Sequence, residues 1–217
     1  MIIDFHTHNA VSSPSTLSIR NIMPDEDHPP YLFCSAGLHP WNINANWQED
    51  MEKVRIAAMS ANTLMIGETG LDKLNGPELN LQEKVFNEHI KLSEELGKPL
   101  VIHCVKSIDE IIFIKKDTRP KQQWIIHGFR GKPQQAQQLL NNGFHLSFGE
   151  RFNADSLALA FKHQAAWLET DESTHSIEEI YELAANSLNV AINELRQRIM
   201  ANAMHTPALA QALESAE

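Results

Sequence analysis

Two imidazoles stand two positions apart in Asp4-Phe5-His6-Thr7-His8, at the end of a short apolar run. Side chains alternate across a strand, so His6 and His8 face the same way and could grip one metal ion. A pair of surface histidines is the plain alternative. Glu68 closes the apolar run 64–68 and is flanked by Gly67 and Gly70. A carboxylate there has two oxygens and a full charge, which suits either a turn or a bridge between two cations. His103 ends Val101-Ile102-His103, and His127 ends Ile125-Ile126-His127. One such histidine is usually a satisfied core residue, but two at matching positions on successive strands read as ligands. Asp171 follows Glu169-Thr170 and would serve as a ligand or as a loop cap. These six nitrogen and oxygen donors are too many for one four-coordinate ion and suit two cations with Glu68 between them. Mixed imidazole and carboxylate donors favour Zn, Mn and related ions over Ca.

Elements must bring these residues together. Short apolar runs at 2–6, 17–22, 31–38, 64–68, 99–103, 124–127, 145–148 and 167–169 read as strands. Longer stretches with helical spacing lie between them. Leu81, Val85, Leu92 and Leu96 trace one stripe on a helix over 79–97, which Gly97 and Pro99 then stop. Ser176 with Glu179 forms a capping box for a helix running towards Ala185. The glutamine-rich stretch 133–142 ends at Gly143 in the manner of a helix, and 188–204 reads as one last helix. Strands alternating with helices argue for a parallel sheet. Eight of them predict an α/β fold, a TIM (β/α)8-like barrel, and 217 residues lies at the short end of its usual size. VSSPST and PDEDHPP separate the first three strands without a helix pattern. The barrel is therefore expected to be compact, with one or two outer helices missing near the N-terminus. No composition shift divides the chain, so residues 1–217 read as a single domain. Active sites of this barrel class sit where the strands end, and the six candidate ligands fall there.

Composition narrows the function classes. A formal charge of −10 disfavours broad capture of nucleic acid, which needs a basic face. It leaves room for nucleic acid in a small pocket where bound cations supply the positive charge. No apolar run approaches the roughly 20 residues that span a bilayer, and MIIDFHTH lacks the basic and apolar regions of a secretory signal. Cys34 and Cys104 lie in apolar stretches and read as buried reduced thiols. The expectation is a cytoplasmic protein with no membrane contact and no obligate protein partner.

Six ordered motifs then carry a family resemblance. They are DFHTH at 4–8, GLHP at 37–40, GETGLD at 67–72, VIH at 101–103, HGF at 127–129 and ETD at 169–171. Gln82, Phe86, His89 and Pro99 fall in family-like places, with a weaker echo at Asn202. The sequence resembles the TatD-type metal-dependent hydrolases (TatD DNase family) of the amidohydrolase superfamily over residues 1–171. The resemblance implies that His6, His8 and Asp171 hold one divalent cation, that His103 and His127 hold a second, and that Glu68 bridges both. The ions would be Zn, Mn, Mg, Ni or similar. It implies a deoxyribonuclease-like phosphodiesterase, with Asp171 and Glu68 in catalytic roles and single-stranded DNA ends as a substrate. His39, Lys106 and Arg130 are candidate substrate contacts; His39 reads equally as part of a structural His-Pro turn, and Arg130 as a solvated loop charge.

The chain also departs from the family. Relatives usually carry an Arg two positions after the strand-five histidine, where this chain has Val105. After ETD, relatives usually have Ser-Pro and a long substrate loop, whereas this chain has Glu172-Ser173-Thr174 and then a helix start. The pocket wall from that loop is expected to be largely missing. These departures keep open a binuclear hydrolase of another bond (amide, lactone or phosphomonoester) and a metal-binding protein without catalysis. A PHP-type phosphoesterase also starts with His-x-His, but it closes its site with an Asp-x-His that is absent here. Trp41 and Trp47 would stack on a base or, more simply, pack on the barrel rim. Glu150 would line the pocket or form a rim salt bridge.

Overall fold

The computed structural model describes residues 1–9, 13, 15–26 and 32–215. Val11, Ser12 and Pro14 of VSSPST, positions 27–30 of PDEDHPP, and Tyr31 at the head of the third strand reading lie outside the described residues. Every predicted strand has its counterpart: β1 (Ile2–Thr7), β2 (Thr16–Ile22), β3 (Phe33–Ala36), β4 (Thr63–Asp72), β5 (Leu100–Val105), β6 (Trp124–Ile126), β7 (Phe144–Phe148) and β8 (Ala166–Leu168). The helices are α1 (Trp47–Ala58), α2 (Leu79–Leu96), α3 (Ile108–Thr118), α4 (Pro133–Asn141), α5 (Ala154–Lys162), α6 (Ile177–Leu188), α7 (Ile192–Met204) and α8 (Pro207–Ser215). Among the described residues no helix separates β1 from β2 or β2 from β3. None of the described helices is long and apolar enough to cross a membrane. The stretch read as one helix over 188–204 is interrupted. Asn189 adopts a left-handed conformation (φ 52°) and closes α6, with its N–H bonded to the Ala185 and Asn186 carbonyls, before α7 starts. Asparagine tolerates that conformation better than other residues with a side chain, so it ends helices much as glycine does.

The chain divides into two compact units, residues 1–20 with 126–217, and residues 21–125. In the first unit β7 pairs parallel with β8, and β1 pairs parallel with β2. Asp171, just past β8, bridges to Thr7 of β1. The core stacks Phe5 on Trp167, ring centroids 4.8 Å apart. Tyr181 on α6 donates its hydroxyl to the Ile3 carbonyl (3.0 Å) and so ties α6 to β1. Ser176 caps α6 reciprocally with Glu179, as its sequence indicates.

In the second unit β4 pairs parallel with both β3 and β5. The strand β4 runs to Asp72, four residues past the predicted end, and is buried throughout. Glycine permits this. Gly70 has φ +144°, and a side chain there would drive its Cβ into the His103 carbonyl of β5. Helix α2 packs its apolar stripe on β4 and is closed by Gly97 in the left-handed conformation. Its polar residues hold the loops around it. Gln82 Oε1 accepts the Asp72 N–H (2.8 Å), while its Nε2 donates to the carbonyls of Asp72, Asn75 and Pro77.

His89 on α2 is fully buried. Its Nε2 accepts the Leu38 N–H (2.9 Å), which leaves Nδ1 to donate to the Val85 carbonyl (2.8 Å). Burial keeps this imidazole neutral and pushes its pKa from the ordinary 6.5 down to about 4. Between those values the unfolded chain binds the extra proton, so the His89 contribution to stability is lost as pH falls from about 6.5 to about 4. The difference is on the order of 3 kcal/mol. The His89→Gln chain is expected to be less stable at pH 7 and to show a flatter stability–pH curve over that window. Urea titrations of both chains at several pH values check this, and parallel curves for the two would refute it.

Candidate metal centre

In the first unit the site grows from the end of β1. All six strand residues are buried. His6 Nε2 lies 4.0 Å from Asp171 Oδ1, and His8 Nε2 lies 3.6 Å from the same oxygen. The His127 ring stands 4.5 Å from the His6 ring. His6, His127 and Asp171 can each present one donor atom with all three atoms inside 4.8 Å of one another. Asp171 has a left-handed backbone (φ 54°). Such a conformation costs on the order of 1 kcal/mol and persists where neighbours impose it. Here β1 imposes it: the Asp171 N–H donates to the His6 carbonyl (2.9 Å), and the Asp171 carbonyl accepts the His8 N–H (3.2 Å).

Two further acids support these groups. Asp4 is buried and accepts both the Thr170 N–H (2.9 Å) and the Thr170 hydroxyl (2.8 Å), which pins the residue before Asp171. Burial raises the Asp4 pKa to about 7, although the two Thr170 bonds work against the rise. Glu169 accepts the Gly128 N–H (2.6 Å), and its Oε1 lies 3.5 Å from His127 Nδ1. Burial alone would raise the Glu169 pKa. The His127 imidazole, with His6 and the Ser147 hydroxyl, outweighs it and holds the carboxyl below its usual range.

In the second unit three donors converge. Glu68 Oε1 lies 2.8 Å from His103 Nδ1 and 3.0 Å from His39 Nε2, and the two nitrogens are 3.2 Å apart. Asn21 on β2 accepts the Glu68 N–H (2.8 Å) and fixes the strand where the carboxylate leaves it. The other His103 nitrogen, Nε2, faces Asp72 Oδ2 at 3.2 Å. Asp72 Oδ2 also accepts the Trp41 indole N–H (2.7 Å), and Asp72 Oδ1 accepts the Leu74 and Asn75 N–H groups. Burial tends to raise the Asp72 pKa, but these hydrogen bonds prevail and hold it below the ordinary value. The arrangement is a carboxylate–histidine pair in which the acid orients the imidazole and sharpens the basicity of its inner nitrogen.

Each donor set fits a divalent ion. Ligand distances of about 2.0–2.2 Å place neighbouring ligands of a tetrahedral ion roughly 3.3 Å apart. The separations of 2.8, 3.0 and 3.2 Å in the second unit are slightly closer than that, and the 3.6 and 4.0 Å separations in the first are slightly wider. Imidazole and carboxylate donors without thiolate suit Zn, Mn, Ni or Mg.

The six predicted ligands lie on strands or just past them, His6, His8, His127 and Asp171 in the first unit and Glu68 and His103 in the second, with Glu68 inside β4 and His103 inside β5 rather than at their ends. His39 belongs with Glu68 and His103 rather than at a distance from them. Lys106 is exposed on the loop after β5 and forms no ion pair among the described residues. Arg130 is exposed and lines a cavity with Asp171. Trp41, 53% exposed, sits edge-on to His39 and His103 while braced by Asp72, so it packs at the rim with much of its ring in solvent. Trp47 opens α1. The supporting residues Asp4, Asp72 and Glu169 carried no assigned role, although strand alternation marks two of them. Asp4 shares a face with His6 and His8, and Asp72 shares one with Glu68.

Asp72→Asn is expected to weaken metal binding or activity by about 10–100-fold, the usual cost of losing an outer-shell partner of a ligating histidine. Metal titration of the purified variant measures it. An affinity equal to that of the parent chain would show that Asp72 does not orient His103.

The chain is similar to known proteins in sequence and in fold. Residues 6–203 match the family model of TatD related DNase. A protein of Buchnera aphidicola subsp. Baizongia pistaciae described as an uncharacterized metal-dependent hydrolase is 40% identical over 119 residues, covering 54% of this chain and 44% of that protein. The 3'-5' ssDNA/RNA exonuclease TatD of Erwinia tasmaniensis is 30% identical over 140 residues, covering 64% of this chain and 52% of that one. The chain spans about half the length of the curated relatives it matches. The crystal structure of YjjV, a TatD homologue from Escherichia coli K12, superposes with a TM-score of 0.77 at 18% identity, over 94% of this chain and 96% of that one. That likeness shows the fold class, a TIM-type α/β barrel. With the family model matched along nearly its whole length, this chain belongs to the TatD related DNase family.

Proposed function

We propose that this chain is a metal-dependent hydrolase that cleaves phosphodiester bonds by attack of water, with ends of single-stranded DNA as its substrate class. The observation that carries the reading is the convergence of His39, Glu68 and His103 on one point, with Asp72 behind His103. The exonuclease name of the Erwinia relative supports the substrate class. The reading takes residues 1–217 as one catalytic domain. As the family resemblance implies, His6, His8 and Asp171 would hold one cation, and Glu68, His103 and His127 would serve as further metal ligands. His39 joins the Glu68 side. The unbridged thiols Cys34 and Cys104 fit work in a reducing compartment such as the cytoplasm.

Bound divalent ions would supply Lewis-acid activation of water and of the phosphate oxygens. The rest falls to the chain. Asp171 accepts the proton of the attacking water, in a position held by the β1 clamp. Asp4 keeps Thr170 and hence Asp171 in place. Asp72 and Glu169 orient His103 and His127. Trp41 offers an exposed ring edge where a terminal base would arrive.

The test is a substrate panel on chelator-stripped protein before and after addition of Mn, Zn, Ni or Mg. Metal-dependent cleavage of bis(p-nitrophenyl) phosphate and of 3'-labelled single-stranded DNA is the expected result. Full cleavage after stripping, or turnover of lactones or cyclic amides in place of phosphodiesters, would overturn the reading.

A further inference from the structure

Beside Asp171, within the unit of residues 1–20 and 126–217, lies a cavity of about 280 Å³. That is just below the usual range for small-molecule sites, so it suits one nucleotide-sized group. Its walls are mostly polar. Arg130 and Arg151 stand on them, together with Glu150 and Ser173. Glu150 follows β7 and reaches over to the segment after Asp171. Its Oε2 accepts the Ser173 hydroxyl (2.6 Å) and faces His175 Nδ1 at 2.7 Å, while Oε1 accepts the Arg151 Nε–H (3.1 Å). The wall expected to be largely missing is reduced to a short segment. Glu172 and Ser173 line the cavity, and Glu150 holds their segment against the end of β7.

Two arginines stand among four carboxylates on these walls, Glu150, Glu169, Asp171 and Glu172. Three of the acids already have partners: Glu169 accepts the Gly128 N–H, Asp171 stands beside His6 and His8, and Glu150 is tied to its neighbours. The hydrogen bonds from Ser173 and His175 keep the Glu150 carboxyl ionised, and its oxygens are engaged by three partners. Arg151 commits only Nε to it. Among the described residues the terminal nitrogens of Arg151 and the whole Arg130 guanidinium meet no acceptor. Two planar guanidinium groups facing a small polar cavity match the oxygens of a phosphate better than any neutral group.

We propose that this cavity is a phosphate subsite. Arg130 and Arg151 grip a phosphate ester of the substrate next to the bond presented to Asp171, and Glu150 is a positioning residue that sets the wall through Ser173 and His175. The ligand class is a nucleotide carrying a terminal phosphate. The role in substrate selection rests on the phosphodiesterase reading, but the binding site itself does not.

Calorimetric titration of the metal-stripped full chain separates the two. The probes are dTMP, thymidine and inorganic phosphate. Saturable binding of dTMP is expected, with thymidine at least tenfold weaker and inorganic phosphate weaker than dTMP. Arg130→Ala and Arg151→Ala should each weaken dTMP tenfold or more, and Glu150→Gln by a smaller factor. Both arginines are exposed, and a thermal melt confirms that the variants fold. On the metal-loaded enzyme, the ratio of kcat/KM for a 5'-phosphorylated over an unphosphorylated dinucleotide should fall at least tenfold in the double arginine variant, through KM. Equal affinity for dTMP and thymidine, phosphate binding as tight as dTMP, or unchanged dTMP affinity in the double variant would overturn the subsite. Absence of all phosphodiester cleavage by the loaded parent chain would instead overturn the proposed function and leave the titration to decide the subsite.

Discussion

Asp171→Asn is expected to lower kcat by about 10²–10⁴-fold, the range for loss of a positioned general base. Asparagine is the informative replacement because it accepts the left-handed backbone that Asp171 adopts at φ 54°. The N–H to the His6 carbonyl and the carbonyl to the His8 N–H involve only backbone atoms, so the clamp survives. What disappears is the carboxylate that stands 3.6 Å from His8 Nε2 and 4.0 Å from His6 Nε2. An amide can still offer an oxygen, but it cannot take a proton from water near neutral pH. Steady-state kinetics on single-stranded DNA, with a thermal melt and metal content for the same sample, decide the matter. A folded, metal-replete variant within tenfold of the parent kcat would remove Asp171 from the proton transfer.

Glu68→Gln should lose activity by more than the roughly 10–100-fold that an outer-shell partner costs, because Glu68 is itself a donor. Its Oε1 is the point on which His39 and His103 converge, at 3.0 and 2.8 Å. Glutamine keeps the length and the Asn21 contact to the residue 68 N–H, so the strand has no reason to move. It removes the full charge that makes a divalent ion stable between imidazoles. Metal analysis by mass spectrometry should show fewer ions per chain after the same loading and washing. Unchanged metal content with activity within fivefold of the parent chain would mean that Glu68 serves the fold and not the ion.

The strands were legible because short-range rules govern them, although β4 runs past its reading to Asp72. His6 and His8 are paired by alternation alone, and His103 and His127 follow apolar runs of the same form. Glycines around Glu68 read as a turn or a ligand site, and the structure adds that Gly70 leaves no room for a Cβ beside β5. The place of His39 was not legible. In Gly-Leu-His-Pro it reads as a substrate contact or a turn, and only the approach of a residue 64 positions away, His103 at 3.2 Å, puts it in a ligand set. The Glu150 tether is similar. An acid next to Arg151 suggests a local ion pair, which exists at 3.1 Å, but its bonds to Ser173 and His175 cross from β7 to the far side of β8. The helix read over 188–204 is present but starts only at Ile192, because propensity does not say which asparagine will turn left-handed, and it is followed by α8.

By itself the sequence determined the alternation of strands and helices, the candidate donors and the family. Periodicity and motif order are properties of neighbouring residues and survive without any knowledge of closure. The tertiary structure alone decided which donors share an ion-sized space and which acids stand behind the histidines. It also decided where arginines meet a cavity. Those relations depend on backbone register between strands distant in the chain, where a shift of one residue would turn every side chain to the opposite face.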